Sequence, residues 1–197
     1  MGESNSRSQI YVSTTIIRAI CAAFAPVILS TTMSSAQNPD PPKADPAIYP
    51  KMRANALTMR DPNLAGDAVA VVLMDWYVGN GTASVLAASD GTASLYLSSG
   101  GGFIGGGQRY PQLREAAQQA VHLATKLISQ FAATEATDLP PNGEVYFYVA
   151  TSSGVRRAVA KEANLRNGSD PLLALGNTMQ HIVTLYRLTT SRPPASH

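Results

Sequence analysis

The apolar positions of this chain fall into runs of two different periods, which change over where glycine, proline and asparagine cluster. From Val69 to Val78 the run is almost unbroken: Val69-Ala70-Val71-Val72-Leu73-Met74-Asp75-Trp76-Tyr77-Val78. Its length and β-branched content predict a strand covered on both faces. Gly79-Asn80-Gly81 then supplies the Asn-Gly pair of a tight hairpin turn. A second run, Thr82 to Ala88, ends at the turn Ser89-Asp90-Gly91. A third, Thr92 to Ser98, alternates Ala93, Leu95 and Leu97 with Ser94, Tyr96 and Ser98. Two turn signals in succession predict an antiparallel three-stranded meander.

The period then lengthens. Behind Pro111, a good first-turn residue, Leu113, Ala117, Ala120, Val121, Ala124, Leu127, Ile128 and Phe131 recur at helical spacing. They predict an amphipathic helix with Glu115, Gln119, His122 and Lys126 on its wet side. Alternation returns after Pro140-Pro141-Asn142-Gly143, with Val145, Phe147 and Val149 set against Tyr146 and Tyr148. Thr151 to Gly154 turns this strand into a fifth, Val155 to Lys161. Ser169 is the expected N-cap of a second helix, marked by Leu172, Leu175, Met179, Ile182, Val183 and Tyr186. Residues 189–197 read as a flexible tail. The order βββ-α-ββ-α predicts an α+β domain over 61–188: a two-layer, five-stranded antiparallel sheet with two helices packed on one face.

The plan of residues 69–188 resembles the roadblock and longin group of profilin-like domains. The resemblance is carried by the Asp90-Gly91 turn, the strand Leu95-Tyr96-Leu97 and the Gly-rich passage Gly100 to Gly107. That group places two strands before its central helix and three after, where this chain has three and two. The resemblance implies a small dimerising or scaffolding module of the kind tied to small GTPases.

Residues 1–36 read as a removable signal sequence. Arg7 and Arg18 precede the apolar run Ala19 to Leu29, and Ser34-Ser35-Ala36 ends in small residues. The run is well short of the ~20 residues that span a bilayer, so no transmembrane span is expected in the mature form. A secreted or periplasmic location follows, whereas a start at Met52 or Met59 would leave a cytoplasmic protein. Residues 37–60 read as a Pro-rich linker, with a possible short helix over 51–60.

Composition narrows the chemistry. The 197 residues are 45% apolar and 14% charged, with net charge +2 and scattered arginines, which is not the basic footprint of a nucleic-acid binder. The one cysteine, Cys21, lies in the leader, so thiolate chemistry and disulfides drop out of the mature domain. His122 and His181 stand alone on predicted helices and His197 is the last residue, so no metal site and no cofactor is expected. Ser152-Ser153 sits in a turn, and no nucleophile elbow accompanies any serine. Asp75 interrupts an apolar strand, where an ionised carboxylate is costly unless it is paired or at the strand's wet end. A strand-end or edge position is expected, the alternative being a general base partnered by Arg109 or Arg157. Arg156, Arg157 and Lys161 form the densest positive cluster, expected as charge guarding an edge strand.

Two features point toward binding. Gly100, Gly102 and Gly105 satisfy G-x-G-x-x-G between a strand and a helix, a pattern able to cradle an anion or nucleotide. The preceding strand ends a meander, and no acid stands about 20 residues on, so a partner-facing loop is favoured. Phe103 and Ile104 are its apolar contacts, with Arg109 beside them. Secondly, two helices cover one sheet face, leaving Met74, Trp76, Tyr96, Tyr146 and Tyr148 as an expected aromatic interface on the other. Together these predict a non-catalytic module that forms a homodimer or binds an unknown protein partner.

Overall fold

The computed structural model describes residues 47–79 and 81–190. The expected signal sequence at 1–36 lies outside the described residues, as do residues 37–46 of the linker and residues 191–197. The sequence-predicted strands are β1 (Val69–Val78), β2 (Gly81–Ala88), β3 (Ala93–Leu97), β6 (Glu144–Thr151) and β7 (Gly154–Lys161). Two further strands, β4 (Gly102–Phe103) and β5 (Ala132–Ala133), extend the sheet at its two edges. The sheet is therefore seven-stranded and antiparallel, in the order β4-β3-β2-β1-β6-β7-β5, where five strands were expected. A two-residue strand is too short to leave any alternation in a sequence, which is why both were missed.

β1 is the centre of this sheet, paired on both sides by β2 and β6. Its register sorts the side chains. Met74 lies beside Val85 and Phe147, and Trp76 beside Ala83 and Val145, on one face. Leu73 lies beside Leu86 and Tyr148, and Asp75 beside Ser84 and Tyr146, on the other. The first face is packed by the two long helices, α3 (Pro111–Lys126) and α5 (Leu173–Thr190). Leu113, Ala117, Ala120 and Ala124 of α3 are fully buried, as are Leu175, Met179 and Ile182 of α5, following the spacing read from the sequence. Two corrections of detail apply to α5. The helix runs through Thr190, where a tail was expected from Thr189, and the Asp170 carboxylate rather than Ser169 accepts the Leu172 N–H just ahead of its first turn.

Two short helices complete this layer, α2 (Gly106–Arg109) and α4 (Glu162–Asn167). Glycine is required where α2 meets the sheet. A Cβ on Gly107 would collide with the Gly91 carbonyl, and Gly102, at φ 146°, carries a backbone conformation that other residues avoid while pressed on the Leu95 carbonyl.

The other face overturns an expectation. It is roofed by α1 (Ile48–Thr58), which starts three residues before the short helix read at 51–60 and is part of the core. Tyr49, Arg53, Ala56 and Leu57 recur at i, i+4, i+7 and i+8 and are buried against Val71, Leu73, Leu86, Tyr96 and Tyr148. The two-layer plan with one open face is thus corrected to a sheet with helix on both faces. Sequence pattern showed a short helix here but hid its docking, because a narrow four-residue stripe on an otherwise exposed helix is a weak signal beside proline-rich text.

Gly107→Ala is expected to lower stability by about 1–3 kcal/mol, the usual cost of forcing a methyl into a packed site. Urea unfolding checks this, and the midpoint should fall with its slope unchanged.

Candidate functional site

Two places on the α1 face combine several chemically distinct groups, one buried and one open. The buried one is centred on Asp75, in the middle of β1 and without solvent exposure. Arg53 of α1 donates to Asp75 Oδ2 from Nε at 2.8 Å and from Nη2 at 2.6 Å. Ser84 of β2 donates its hydroxyl hydrogen to Asp75 Oδ1. A serine has one hydrogen to give, so the 2.8 Å contact between Tyr49 and Ser84 is donated by the phenol. Arg53 also reaches past the strand, giving Nη1 to the Thr137 carbonyl and Nη2 to the Asp138 carbonyl at 3.0 Å. Tyr148 donates to the same Asp138 carbonyl at 2.7 Å and lies under the guanidinium, whose Cζ is 5.1 Å from its ring centre.

Every group in this centre has a partner, and among the described residues no buried side-chain nitrogen or oxygen is left without one. Burial pushes the Asp75 carboxyl above its ordinary value, against the opposing pull of Arg53 and Ser84. Burial would by itself lower Arg53, but the charge and hydrogen bonds of Asp75 hold it above its ordinary value. The cost of taking both charges out of water offsets much of their attraction, so the pair fixes where α1 sits more than it adds stability. With Asp75 and Ser84 sealed, the arrangement offers nothing to a substrate.

The open place is an apolar groove of about 200 Å³ at the N-terminal end of α1. Ile48, Tyr49 and Met52 form one wall, and Tyr96, Leu97 and the Gly100 to Gly102 backbone form the other. Ile104, 72% exposed, stands at its lip, and Ile48 is 47% exposed.

The residues singled out from the sequence are distributed as follows. The five expected interface residues do not share an open face. Met74 and Trp76 are buried under the helices, and Tyr96, Tyr146 and Tyr148 are buried on the α1 side. Of the Gly-rich loop, Gly100, Gly102 and Ile104 line the groove. Phe103 turns the other way and stacks on Tyr186 of α5, with ring centres 4.9 Å apart. The loop's N–H groups are already engaged at Gly105, bonded to Ser94 Oγ at 3.1 Å, and at Gly106, bonded to the Tyr186 hydroxyl at 3.0 Å. An anion would have to displace those contacts. Arg109 is exposed and lies over the Tyr110 ring at 5.5 Å.

Asp75 is sealed within the central strand rather than at a wet end or an edge, and its partner is Arg53, not Arg109 or Arg157. Arg157 instead pairs with Asp138 at 2.6 Å and lies over the Tyr146 ring at 4.9 Å. Arg156 pairs with Asp67 at 2.7 Å. β7 is one strand in from the edge, with β5 outside it at Arg156 and Arg157, so these arginines are tied to neighbouring acids rather than standing guard on an edge. His122 and His181 are exposed, and among the described residues no group of three or more His, Cys, Asp or Glu is placed to hold a metal. Ser152 donates to the Gly66 carbonyl at 2.7 Å. No described helix is long and apolar enough to cross a membrane.

Comparison of the chain with protein families, with curated proteins and with solved structures finds no match. The functional reading therefore rests on the chain's own geometry. Sequence reasoning missed Arg53 and Tyr49 altogether. The signal was present: a lone carboxylate inside an apolar strand must be met by a cation on some other element.

Replacing Arg53 by Met is expected to cost about 3–5 kcal/mol, because Asp75 is left charged and unpaired, whereas the Arg53→Met, Asp75→Leu pair should recover more than half of it. Thermal unfolding of the single and double variants checks the coupling. A second expectation concerns alkali. Burial raises Tyr49 and Tyr186 from 10.0 to about 12. The stability these phenols contribute is therefore complete below pH 10 and is lost as pH rises through about 12. Melting temperature should fall over that window, and Tyr186→Phe should flatten the fall.

Proposed function

We propose that the chain is an exported, non-catalytic module that joins a second copy of itself through the groove between α1 and the Gly-rich loop. The observation that carries this reading is the placing of a protruding apolar side chain, Ile104, at the lip of an apolar groove. A knob beside a hole is a self-complementary surface: about a two-fold axis, Ile104 of each copy meets the groove of the other. Ile48, Met52 and Leu97 supply the apolar rim, and the exposed glycine backbone lets a partner approach closely. The sealed state of Asp75 and Ser84 favours binding over catalysis. Export is favoured by the charged start, apolar run and small-residue end of residues 1–36.

Light scattering or sedimentation at micromolar concentration tests the association. The wild-type chain is expected to self-associate, and Ile104→Asp to weaken it by roughly tenfold or more, as loss of a central apolar anchor does. Melting temperature compared on dilute, dissociated chains should be unchanged, because the exposed Ile104 contributes little to the core. A wild-type protein that stays monomeric would remove the reading. The export component is tested separately by mass spectrometry of the mature N-terminus from the native host, expected to begin near Gln37.

A further inference from the structure

We propose that α1 and residues 134–139 form a two-piece latch, closed over the sheet by Arg53, which opens as one unit and dismantles the groove when it does. α1 has no means of standing alone. Its first turn holds no acid and its last turn holds no base. At 11 residues it is shorter than the ~12–15 at which isolated helices become even marginal in water. It is helical because it is docked.

The directed polar part of the docking converges on one side chain, beside the apolar contacts that Tyr49, Ala56 and Leu57 make with the sheet. Arg53 bonds Asp75 twice, then the carbonyls of Thr137 and Asp138, and none of these groups belongs to its own helix. Residues 135–139 are exposed, and Asp138 is their anchor to the body of the fold, through Arg53, Tyr148 and Arg157. Release of Arg53 thus loosens both pieces, and release of either piece frees Arg53 into water. The polar centre also makes departure less costly than an apolar one would. On opening, water takes over the bonds to Asp75, Ser84 and Arg53. β1, β2 and β6 keep their ladder bonds and their helical cover on the far face, so the sheet survives the opening.

The link to the groove rests on the reading above. Ile48, Tyr49 and Met52 are the α1 wall of that groove, whereas Tyr96, Leu97 and Gly100 to Gly102 stay with the sheet. An open latch leaves half a groove, and self-association would require the closed state.

Hydrogen exchange of the α1 amides and cleavage after Glu135 by a glutamate-specific protease, both on the full chain, test the latch. In the wild-type chain the α1 amides and the Glu135 bond are expected to open at a common rate, well above that of the β1, β2 and α5 amides, which need global unfolding. In Arg53→Met both latch rates are expected to rise by a common factor, on the order of a hundredfold or more. A rise in only one of the two pieces would overturn the proposal. So would α1 amides that, in the wild-type chain, exchange no faster than those of β1 and β2, which would make α1 part of global unfolding. Should Arg53→Met fail to fold, Arg53→Lys keeps the charge on Asp75 but loses the fork, and the same pattern is expected at roughly tenfold. Failure of both variants to fold would also overturn the latch. Compared at a dilution where the wild-type chain is also dissociated, Ile104→Asp is expected to show wild-type exchange. At concentrations where the wild type associates, the α1 amides of this variant should exchange faster. If it still associates, the groove reading fails and the latch stands.

Discussion

A carboxylate in the centre of a sheet is a constraint that the rest of a protein must answer. Asp75 has no water to meet it, so a cation and a hydroxyl must come to it from other parts of the chain. Ser84 comes from the neighbouring strand and Arg53 from a helix 22 positions upstream. That requirement places α1 across the sheet, and with α1 in place the aromatic face has its roof. Thr137 and Asp138 are drawn in because a guanidinium has more hydrogens than one carboxylate accepts. One buried charge thus organises a helix, a strand and a long loop.

The two faces of the sheet are held by different physics. Behind β1, α3 and α5 bury broad apolar stripes that contribute on the order of 1.5–3 kcal/mol per large side chain before chain entropy is subtracted. In front, α1 brings four buried residues, one of them an arginine. An apolar layer tolerates small shifts, since any close packing will do. A bidentate ion pair with directed hydrogen bonds tolerates far fewer, because a slip of one turn would strand two charges. The back face accordingly supplies cohesion, and the front face supplies position.

Position is what the groove needs. Its walls come from α1 and from the loop after β3, segments about fifty residues apart in sequence, and their spacing depends on where α1 is pinned. The Gly-rich loop is shaped for the same end. Phe103 anchors it inward on Tyr186, and the next residue, Ile104, is thereby turned outward to the lip. Within the Gly-rich passage, Gly102 comes close to the Leu95 carbonyl and Gly107 to the Gly91 carbonyl, where a side chain would not fit.

Local pattern determined a large part of this protein. Strand alternation, the Asp90-Gly91 turn, and the apolar stripes of α3 and α5 are properties of neighbouring residues. These elements formed close to where their periods placed them, although α3 ends at Lys126, short of the Leu127, Ile128 and Phe131 read into its stripe. The unbroken run from Val69 to Val78 even stated that β1 is covered on both faces, although the helices visible in the pattern could cover only one. Tertiary structure alone decided what fills the second face, which arginine meets Asp75, and which way Phe103 and Ile104 turn. These depend on contacts between residues far apart in sequence. A short helix with a four-residue buried stripe and a two-residue edge strand carry too little periodicity to announce themselves, and they become legible only when the chain that needs them has folded around them.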